Sequence, residues 1–384
     1  MVQDNRAYQN RVAVIGAGVI GLSIAWRLAQ RGVTVTVFDR GEAGQGASHA
    51  AAGMLAACAE IEPSEERLLT LNRASQALWP DFAAELEAAS GEPVELRTEG
   101  TLMVALTADD AAKLRNHADL QARLGLPVSW LSGRDIRHLE PALAPGVAGG
   151  VSSPEDHQVD NRKLAKALHI AALRAGVKVF ENTPVEGLSL KDGRIEGVLT
   201  AGGLYEAGTV VLAAGPWSRG IPGLPAEARP AVRPIKGQML SLAMDPAAPL
   251  LGHVVWAPGV YLVPRLDGRL IIGATVEEKG FDTAITAGGL LSLLHAAWRA
   301  LPGIEELPVL ETWVGHRPGS RDDAPIFGAG PVEGLVYATG HHRNGILLTP
   351  ITADLISDFV VSGRLDPLAA PFGFGRFARP AAAA

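Results

Sequence analysis

The chain has 384 residues, with 34 Lys and Arg against 41 Asp and Glu and a formal net charge of −7. This length predicts two or three domains of about 150 residues each and a sizeable hydrophobic core. The acidic balance argues against the basic face that nucleic-acid binding requires, so we expect no nucleic-acid partner. Apolar residues make up 47% of the chain and charged residues 20%, which excludes a disordered protein.

Cysteine content and hydropathy indicate the compartment. The single cysteine, Cys58, can form neither an intrachain disulfide nor a multi-cysteine metal site. Residues 1–10 are polar, so we expect a short lead-in rather than a signal peptide. The most apolar C-terminal stretch, 346–361, is interrupted by polar residues and proline, which argues against a membrane span. These features predict a cytoplasmic protein.

The first motif of the chain is a strand, a glycine turn, a helix and a second strand. A β-branched run at 11–15 leads into Gly-Ala-Gly-Val-Ile-Gly at 16–21 and a helical stretch to Arg31. The second strand, 33–38, ends at Asp39, which lies 18 positions after the third glycine. This order and spacing are those of a dinucleotide-binding unit.

Each residue of the motif has a physical reason. Gly16 makes the tight turn, Gly18 lets a pyrophosphate approach the backbone, and Gly21 allows close packing of the helix. The helix N-terminus then presents free N–H groups to the phosphates. Asp39 would accept hydrogen bonds from a ribose, and Arg40 is either a reader of a 2′-phosphate or a solvated surface arginine. The glycines alone are also compatible with an ordinary turn.

The fingerprint does not separate NAD from FAD, but three later segments favour FAD. Small residues at 46–55 would let a planar cofactor lie against the backbone, although a packed Ala-rich helix is the alternative. A β-branched strand at 208–215 ends in small residues. A turn at 340–348 leads into a helix whose N-terminus would face an anion or a reduced flavin ring.

Together these segments resemble the glycine oxidase (ThiO) branch of the D-amino-acid oxidase family of FAD-dependent oxidoreductases, over about 11–376. The similar motifs are RVAVIGAGVIGLSIAWRLAQRGVTVTVFDR, GASHAAAGML, VVLAAGPWS, RPIKGQML, GVYLVPR, IIGATVE, VGHRPGSRDDAPIFG and GHHRNGILLTP. On this basis the expected FAD contacts are Gly16, Gly18, Gly21, Asp39, Arg40, Ala47, Ser48, Ala52, Gly53, Met54, Val185, Ala214, Gly215, Gly340, His342, Arg343, Asn344, Gly345 and Ile346.

The chain departs from the family and its relatives at several points. Asp39 stands where the family commonly has Glu, one methylene longer. No cysteine occurs in 315–330, so the covalent flavin link of sarcosine oxidases is not available there, and we expect non-covalent FAD. A Cys-x4-Cys pair of the disulfide-reductase type and a second glycine fingerprint for NADPH are also absent from the sequence.

The fold class that follows is α/β. We expect a Rossmann-type FAD-binding domain assembled from the separate segments 10–88, 150–222 and 324–376. A second, mostly antiparallel-sheet substrate domain would comprise 89–149 and 223–323. The main predicted elements are a helix at 161–175 capped by Asp160, a hairpin of 185–190 and 194–200, strands at 177–180, 232–242, 254–264 and 270–276, and a helix near 287–300.

A flavin amine oxidase moves a hydride from substrate Cα to flavin N5, so its protein must mainly place the substrate. Arg317 is the candidate for the substrate carboxylate, because a guanidinium binds it through two parallel hydrogen bonds. Its alternative is a surface arginine in a turn. Tyr261 is either a second carboxylate contact or a core tyrosine, and Arg343 either lines the site or supports the flavin.

The other polar clusters of the sequence are interpreted without a catalytic or metal-binding role. The sequence shows no nucleophile elbow and no H-E-x-x-H motif. His341 and His342 are adjacent, so their side chains should diverge, and we expect no metal. The acidic run 60–66 is interpreted as a solvated helix start, with a lid as the alternative.

The resemblance implies an oxidase that deaminates glycine, sarcosine or small D-amino acids with O2 as acceptor and H2O2 as product. A quinone- or partner-linked dehydrogenase of the same fold, a flavin-binding subunit of an assembly and an NAD-linked dehydrogenase are the alternatives. The resemblance also implies a role in thiamine (thiazole) biosynthesis, and we expect a homo-oligomer.

Overall fold

The structure is a computed structural model that describes residues 10–63 and 65–377. Apart from Asn10, the lead-in predicted at 1–10 lies outside the described residues. The helices are α1 (Val19–Gln30), α2 (Ala47–Ala50), α3 (Glu66–Ser90), α4 (Ala108–Arg123), α5 (Gly133–Leu139), α6 (Asn161–Arg174), α7 (Ala287–Ala300) and α8 (Thr349–Ser362).

Nineteen strands are assigned within the described residues. They are β1 (Arg11–Ile15), β2 (Thr34–Phe38), β3 (Met54–Leu55), β4 (Thr101–Ala105), β5 (Ser129–Ser132), β6 (Gly149–Ser153), β7 (His157–Gln158), β8 (Lys178–Phe180), β9 (Gly187–Lys191), β10 (Arg194–Thr200), β11 (Gly203–Glu206), β12 (Thr209–Leu212), β13 (Arg233–Ala243), β14 (Val254–Ala257), β15 (Val260–Pro264), β16 (Arg269–Gly273), β17 (Val309–Gly319), β18 (Ile326–Ala329) and β19 (Leu335–Thr339).

A six-stranded sheet in the order β18-β19-β12-β1-β2-β8 contains the first motif. All of its pairings are parallel except β18 with β19. Helix α1 is buried over most of its length and packs against α6 and α8. The rings of Trp26 and Phe82 pack edge to face with their centres 5.8 Å apart. Trp79 packs against Phe82 in the same way, with the ring centres 5.7 Å apart. A helix that is apolar on almost every side needs this cover on both flanks.

A second sheet has eight strands in the order β17-β13-β16-β15-β14-β4-β6-β5. Only β4 and β14 pair in parallel, so the sheet is mostly antiparallel, as predicted. Helix α7 covers one face, where Leu293 and Ala297 join Leu262 and Ile272 in a core. The two sheets together confirm the predicted α/β fold class, with its parallel and antiparallel layers.

The predicted elements differ from the structure in two details. The stretch 254–264 forms β14 and β15 rather than one strand, because the chain turns at Pro258 and at Gly259, which has φ of 81°. Strand β6 also spans the predicted boundary between residues 149 and 150 and belongs to the eight-stranded sheet. The division into two domains at those boundaries stays a prediction. None of the helices in the described residues is long and apolar enough to cross a membrane.

The predicted cap at Asp160 is present, and the same carboxylate also binds an arginine of the eight-stranded sheet. Its side chain accepts hydrogen bonds from the backbone N–H of Arg162 at 2.9 Å and of Lys163 at 3.1 Å. Arg269 donates to the other carboxylate oxygen at 2.6 Å. Burial raises the pKa of Asp160, but Arg265, these N–H groups and Arg269 outweigh burial and hold the pKa below its usual value. The ionised carboxylate therefore joins α6 to the eight-stranded sheet.

Replacing this carboxylate should destabilise the protein. We expect Asp160→Ala to lower the free energy of unfolding by about 2–4 kcal/mol, because it removes the helix cap and leaves Arg269 without a buried partner. Asp160→Asn keeps a cap acceptor and should cost less. Since the folded-state pKa is depressed, the carboxylate stabilises above about pH 4 and this contribution is lost as pH falls through the folded-state value. Denaturant midpoints measured between pH 3 and 8 test this. Equal midpoints for the Ala variant and wild type at neutral pH would contradict it.

Candidate active site

A large cavity opens at the carboxyl ends of the parallel strands. Its volume is about 1260 Å³. It is lined by residues at or just after the ends of β1, β2, β12 and β19, namely Ile15, Phe38, Ala213 and Thr339. Open parallel sheets bind their ligands in this position. The volume exceeds the roughly 300–1,000 Å³ of typical small-ligand pockets, so the cavity has room for a cofactor together with a substrate.

The glycine turn forms the base of the cavity. Gly16 has φ of 108°, and a Cβ there would lie 2.4 Å from the carbonyl oxygen of Ala213. A Cβ on Gly21 would lie 1.9 Å from the carbonyl oxygen of Gly16. Gly16 and Gly18 line the cavity, whereas Gly21 does not, since its role is the close packing of the turn against α1.

The N-terminus of α1 faces the cavity. Gly18 is the N-cap residue and provides no side-chain hydrogen bond. Ser48 from the Ala-rich segment accepts from the backbone N–H of Val19 at 3.0 Å. A Cβ on Gly18 would approach Ser48 Oγ to 3.1 Å. The first turn thus offers N–H groups and a partial positive charge that suit an anionic ligand.

Asp39 and Arg40 line the same cavity beyond this turn. The Asp39 carboxylate accepts from the backbone N–H of Ala17 at 2.7 Å and of Gly41 at 2.9 Å. Carboxylate oxygens have further lone pairs, so a ribose hydroxyl can still bind there. Arg40 is exposed, and its guanidinium lies 3.8 Å from the ring centre of Trp217.

The small-residue segment 46–55 is not a packed helix. It consists of the four-residue α2, a turn and the two-residue β3. Buried Arg265 donates to the carbonyl of Ala52 at 2.7 Å and to that of Val159 at 2.9 Å, and Asn161 Nδ2 donates to the carbonyl of Ser48 at 2.8 Å. Sequence reasoning missed Arg265 and Asn161 as determinants of the site, although Arg265 ends the quoted motif GVYLVPR. Ala47, Ser48, Ala52, Gly53 and Met54 line the cavity.

The remaining predicted cofactor contacts fall into two groups. Gly340 does not line the cavity, and a Cβ added there would point at the side chains of Ile326, Ser320 and Val232, each 3.4 Å away. The residues that do line it are Val185, Ala214, Gly215, His342, Arg343, Asn344, Gly345 and Ile346.

The two adjacent histidines have separate surroundings. His341 is buried against Phe327 and its Nε2 lies 3.2 Å from Thr352 Oγ1. Both His341 and His342 line the cavity. Burial lowers the pKa of both to about 3, and for His342 the neighbouring arginines lower it further. Both rings are therefore neutral at physiological pH. The described residues contain no His, Cys, Asp or Glu cluster able to hold a metal.

Arg317 reaches the cavity from β17 in the second sheet. Its guanidinium lies over Gly237 of β13, where a Cβ would be 2.7 Å from Nη1, and it donates to the carbonyl of Thr275 at 3.2 Å. Among the described residues it forms no ion pair with a carboxylate. A cation without a counter-charge inside a cavity favours an anionic ligand.

Tyr261 of β15 lines the cavity beside Arg317. Its ring packs on the backbone of Gly273, where a Cβ would lie 2.6 Å from the hydroxyl. Burial raises the pKa of Tyr261, while the charge of Arg317 opposes the rise and that of Glu60 adds to it. The hydroxyl is therefore protonated and can donate a hydrogen bond.

Arg343 also lines the cavity, but its charge is already neutralised. Its Nε lies 3.0 Å from Glu60 Oε2, and Nη2 lies 2.7 Å from Glu65 Oε2 and 3.7 Å from Glu62 Oε1. The prediction of a solvated helix start was wrong for Glu60 and Glu65, whose side chains are each only 11% exposed. The partner that buries them, Arg343, lies almost 280 positions away, beyond the reach of any local pattern.

Glu60 lines the cavity with a carboxylate side chain that is only 11% exposed. The segment before it is held by Asp156, which accepts from the backbone N–H of Cys58 at 2.9 Å and of Ala59 at 2.6 Å. Burial raises the pKa of Glu60 to about 7, although Arg343 lowers it and Asp156 raises it.

A family model described as FAD dependent oxidoreductase matches residues 11–359. The chain belongs to this family. The match confirms the resemblance that the motifs indicated.

Individual relatives agree with the family. A glycine oxidase of Geobacillus kaustophilus is 38% identical over 369 residues, which cover 95% of this chain and 96% of that protein. The crystal structure of glycine oxidase from that organism superposes with a TM-score of 0.88 over 95% of this chain and 99% of the other. The bifunctional protein ThiO/ThiG of Trichormus variabilis is 39% identical, and the chain spans 55% of its length. The hydrogen cyanide synthase subunit HcnC of Pseudomonas aeruginosa is 31% identical over 99% of both chains.

The residues present fit the cofactor of the family. The cavity joins the α1 N-terminus, whose N-cap residue Gly18 has no side chain, the Asp39 carboxylate and a lining of small residues. Cys58 is buried outside the cavity, and burial together with Asp156 raises the pKa of its thiol to about 12. No cysteine of the described residues therefore lines the site.

A side chain at Gly18 should prevent cofactor binding. The added atoms of Gly18→Val would meet Ser48 and enter the space in front of α1, so we expect FAD occupancy to fall by at least about tenfold. Gly220→Ala is the control, because it lines the same cavity and its Cβ would contact nothing within 4 Å. The ratio of flavin to protein absorbance measures occupancy, and circular dichroism checks folding. A folded and fully loaded Gly18→Val variant would place the cofactor elsewhere.

Proposed function

We propose that the protein oxidatively deaminates glycine, sarcosine or small D-amino acids, using non-covalent FAD. For a primary amine, one amino acid, one O2 and one water would give one 2-oxo acid, one ammonia and one H2O2. The observation that carries the proposal is the unpaired Arg317 guanidinium, held inside a cofactor-sized cavity opposite the glycine turn.

The residues that would hold FAD lie along the cavity from the glycine turn to the Ala-rich segment. The first turn of α1 and Gly18 would face the pyrophosphate, and Asp39 the adenosine ribose. His342 to Ile346 would lie near the flavin ring, where neutral His342 brings no charge. Bound FAD would supply hydride acceptance and the reaction with O2.

Arg317 would bind the substrate carboxylate through two parallel hydrogen bonds and so fix the direction of Cα. The protonated Tyr261 hydroxyl would donate to the same carboxylate. Met54, Met239 and Trp256 line this part of the cavity with apolar atoms, which exclude water and strengthen the Arg317 charge. Arg343 is unsuited to this task, because its charge is taken by three glutamates.

One alternative draws on a specific relative. HcnC is named as a subunit of hydrogen cyanide synthase, and the second candidate function is therefore that of a flavin-binding subunit in a larger assembly. Assay of the purified chain separates the two functions. Peroxide release under air from the protein alone supports the oxidase, whereas flavin reduction that is reoxidised only by an added dye or partner supports a dehydrogenase or subunit. The role in thiamine biosynthesis is a proposal that rests on the resemblance. The homo-oligomer is likewise a proposal, and the cytoplasmic location is a proposal that rests on the cysteine content and hydropathy of the sequence.

The loss of Arg317 should remove substrate binding without removing FAD. In Arg317→Ala the substrate carboxylate would be desolvated without a partner, at roughly 2–5 kcal/mol. At about 1.4 kcal/mol per decade, the efficiency of flavin reduction falls by about 10^1.5 to 10^3.5. Arg317→Lys should recover only part, because an ammonium cannot reproduce the planar guanidinium.

Anaerobic flavin reduction by the amine, beside FAD occupancy, measures this effect. Arg233→Ala is the matched control, since Arg233 also lines the cavity but already pairs with Glu278 at 3.0 Å. Unchanged reduction in Arg317→Ala would remove Arg317 from the substrate site. Loss of flavin would show that its role is structural.

Acid precipitation should leave the yellow flavin in the supernatant. Among the described residues no cysteine lines the cavity, so none is placed to form a covalent bond with the flavin. Cys58→Ser should behave in the same way. The absorbance of supernatant and pellet measures the partition. Flavin that stays with the precipitate would contradict non-covalent binding.

A further inference from the structure

The charges around Arg343 do not balance within the described residues. Three carboxylates, those of Glu60, Glu62 and Glu65, lie within 3.7 Å of this one guanidinium. Glu62 is 63% exposed, so water screens it, whereas Glu60 and Glu65 are each 11% exposed. When both of these carboxylates are ionised, the ion-paired cluster carries one more negative charge than its guanidinium neutralises, and the charge of Arg317 acts on Glu60 from outside the cluster. A second cation beside them would be stabilised.

Glu60 is the buried member of this cluster that faces the cavity. Glu60 and Glu62 line the cavity, and Glu65 does not. Glu60 also acts on Tyr261, and Arg317 acts on Glu60, through their charges. A cation receptor and an anion receptor thus lie in one cavity. A carboxylate has two oxygens with about four lone-pair sites, so the ion pair with Arg343 leaves room for another donor.

We propose that Glu60 accepts the ammonium group of the substrate and takes one proton from it. This inference rests on the proposed function and deepens it. The carboxylate and the R-NH3⁺ group become a carboxylic acid and R-NH2, with no change in total charge. The nitrogen lone pair freed in this way is the one that an amine needs for loss of hydride from Cα. The proton returns from Glu60 to water when the product leaves.

The position of Glu60 supports this role. Asp156 fixes the backbone immediately before it through Cys58 and Ala59, and Arg343 holds its carboxylate. Arg317 of β17 lines the same cavity, and its charge acts on Glu60. A zwitterionic amino acid would therefore have its carboxylate at Arg317 and its nitrogen at Glu60, which sets the direction of Cα.

The charged and titratable groups that face Glu60 are Arg343, Asp156, Arg317, Glu65 and Tyr261. Burial, which acts most strongly, raises the pKa of Glu60 to about 7. The carboxylate is the proton acceptor, so substrate-driven flavin reduction should decline as pH falls through this value. A base that titrates near the working pH is well suited to proton transfer.

The test compares Glu60→Gln with Glu65→Gln in the FAD-loaded protein. Glu65 is the matched control, because it has the same exposure and the same Arg343 partner but does not line the cavity. Anaerobic flavin reduction by glycine is measured from pH 5.5 to 10, together with FAD occupancy and thermal stability. Glu60→Asp is the conservative variant and should restore part of the pH dependence.

In the wild type we expect an acid limb with a midpoint near pH 7. In Glu60→Gln this limb should vanish, and the ratio of reduction rate to glycine dissociation constant should drop about 10²-fold at pH 7. The loss should shrink toward pH 10, where the free amine is already neutral. Glu65→Gln should keep the acid limb. An unchanged pH profile in Glu60→Gln overturns the proposal, and so does an equal loss in Glu65→Gln, which would assign the effect to Arg343.

A second probe separates this proposal from the proposed function. Acetate carries the carboxylate but no amine, and its binding is followed by the change in the flavin absorption spectrum. Glu60→Gln should bind acetate at least as tightly as wild type, whereas Arg317→Ala should lose it. Weaker acetate binding in Glu60→Gln would mean that Glu60 shapes the carboxylate site, which overturns the proposal. If wild type is reduced by none of the amino acids, the proposed function itself fails.

Discussion

The close backbone approach in the Gly16–Gly21 turn is the constraint on which the site depends. In this turn the carbonyl oxygen of Gly16 lies only 1.9 Å from the position that a Cβ on Gly21 would occupy. Gly16 itself packs closely against the carbonyl of Ala213. No side chain larger than hydrogen fits at either position. Because of this approach, the N-terminus of α1 lies at the carboxyl edge of the parallel sheet, and Asp39 can tie the turn through the N–H of Ala17. The cavity exists because this edge is left open beneath the second sheet.

Two arginines give the cavity its electrostatic character, and their surroundings are opposite. Arg343 is surrounded by carboxylates, so its charge is neutralised by the ion pairs that hold Glu60 and Glu65 in place. Arg317 lies over a glycine and a backbone carbonyl, so its charge stays available to a ligand. Inside an apolar lining both charges act more strongly than they would in water. Both residues are arginines, so the residue type does not distinguish them. The partners that each guanidinium contacts on other elements distinguish them.

Local signals explain what the sequence predicts well. The helix 287–300 follows from its apolar period and α6 from the Asp160 cap, since both signals act within one turn. The single strand expected at 254–264 was wrong, although Pro258 and Gly259 are turn residues whose signal was present. Most predicted cofactor residues line the cavity because strand ends and glycine turns are local features. Glu60, Arg265 and Asn161 were not recognised because their roles depend on partners far away in the chain.

The segment 51–61 shows why those distant partners matter. Only Met54 and Leu55 of it form strand pairs, so most of its backbone polar groups must find partners elsewhere. Arg265 takes the carbonyl of Ala52, and Asp156 takes the N–H groups of Cys58 and Ala59. Satisfying these groups with buried charges fixes an irregular segment as firmly as a strand ladder would. These bonds fix the segment that carries Glu60, and Arg317 is carried by β17. In the proposed site, a ligand with one charge of each sign would bind both groups, whereas a simple amine or a simple carboxylate would bind only one of them.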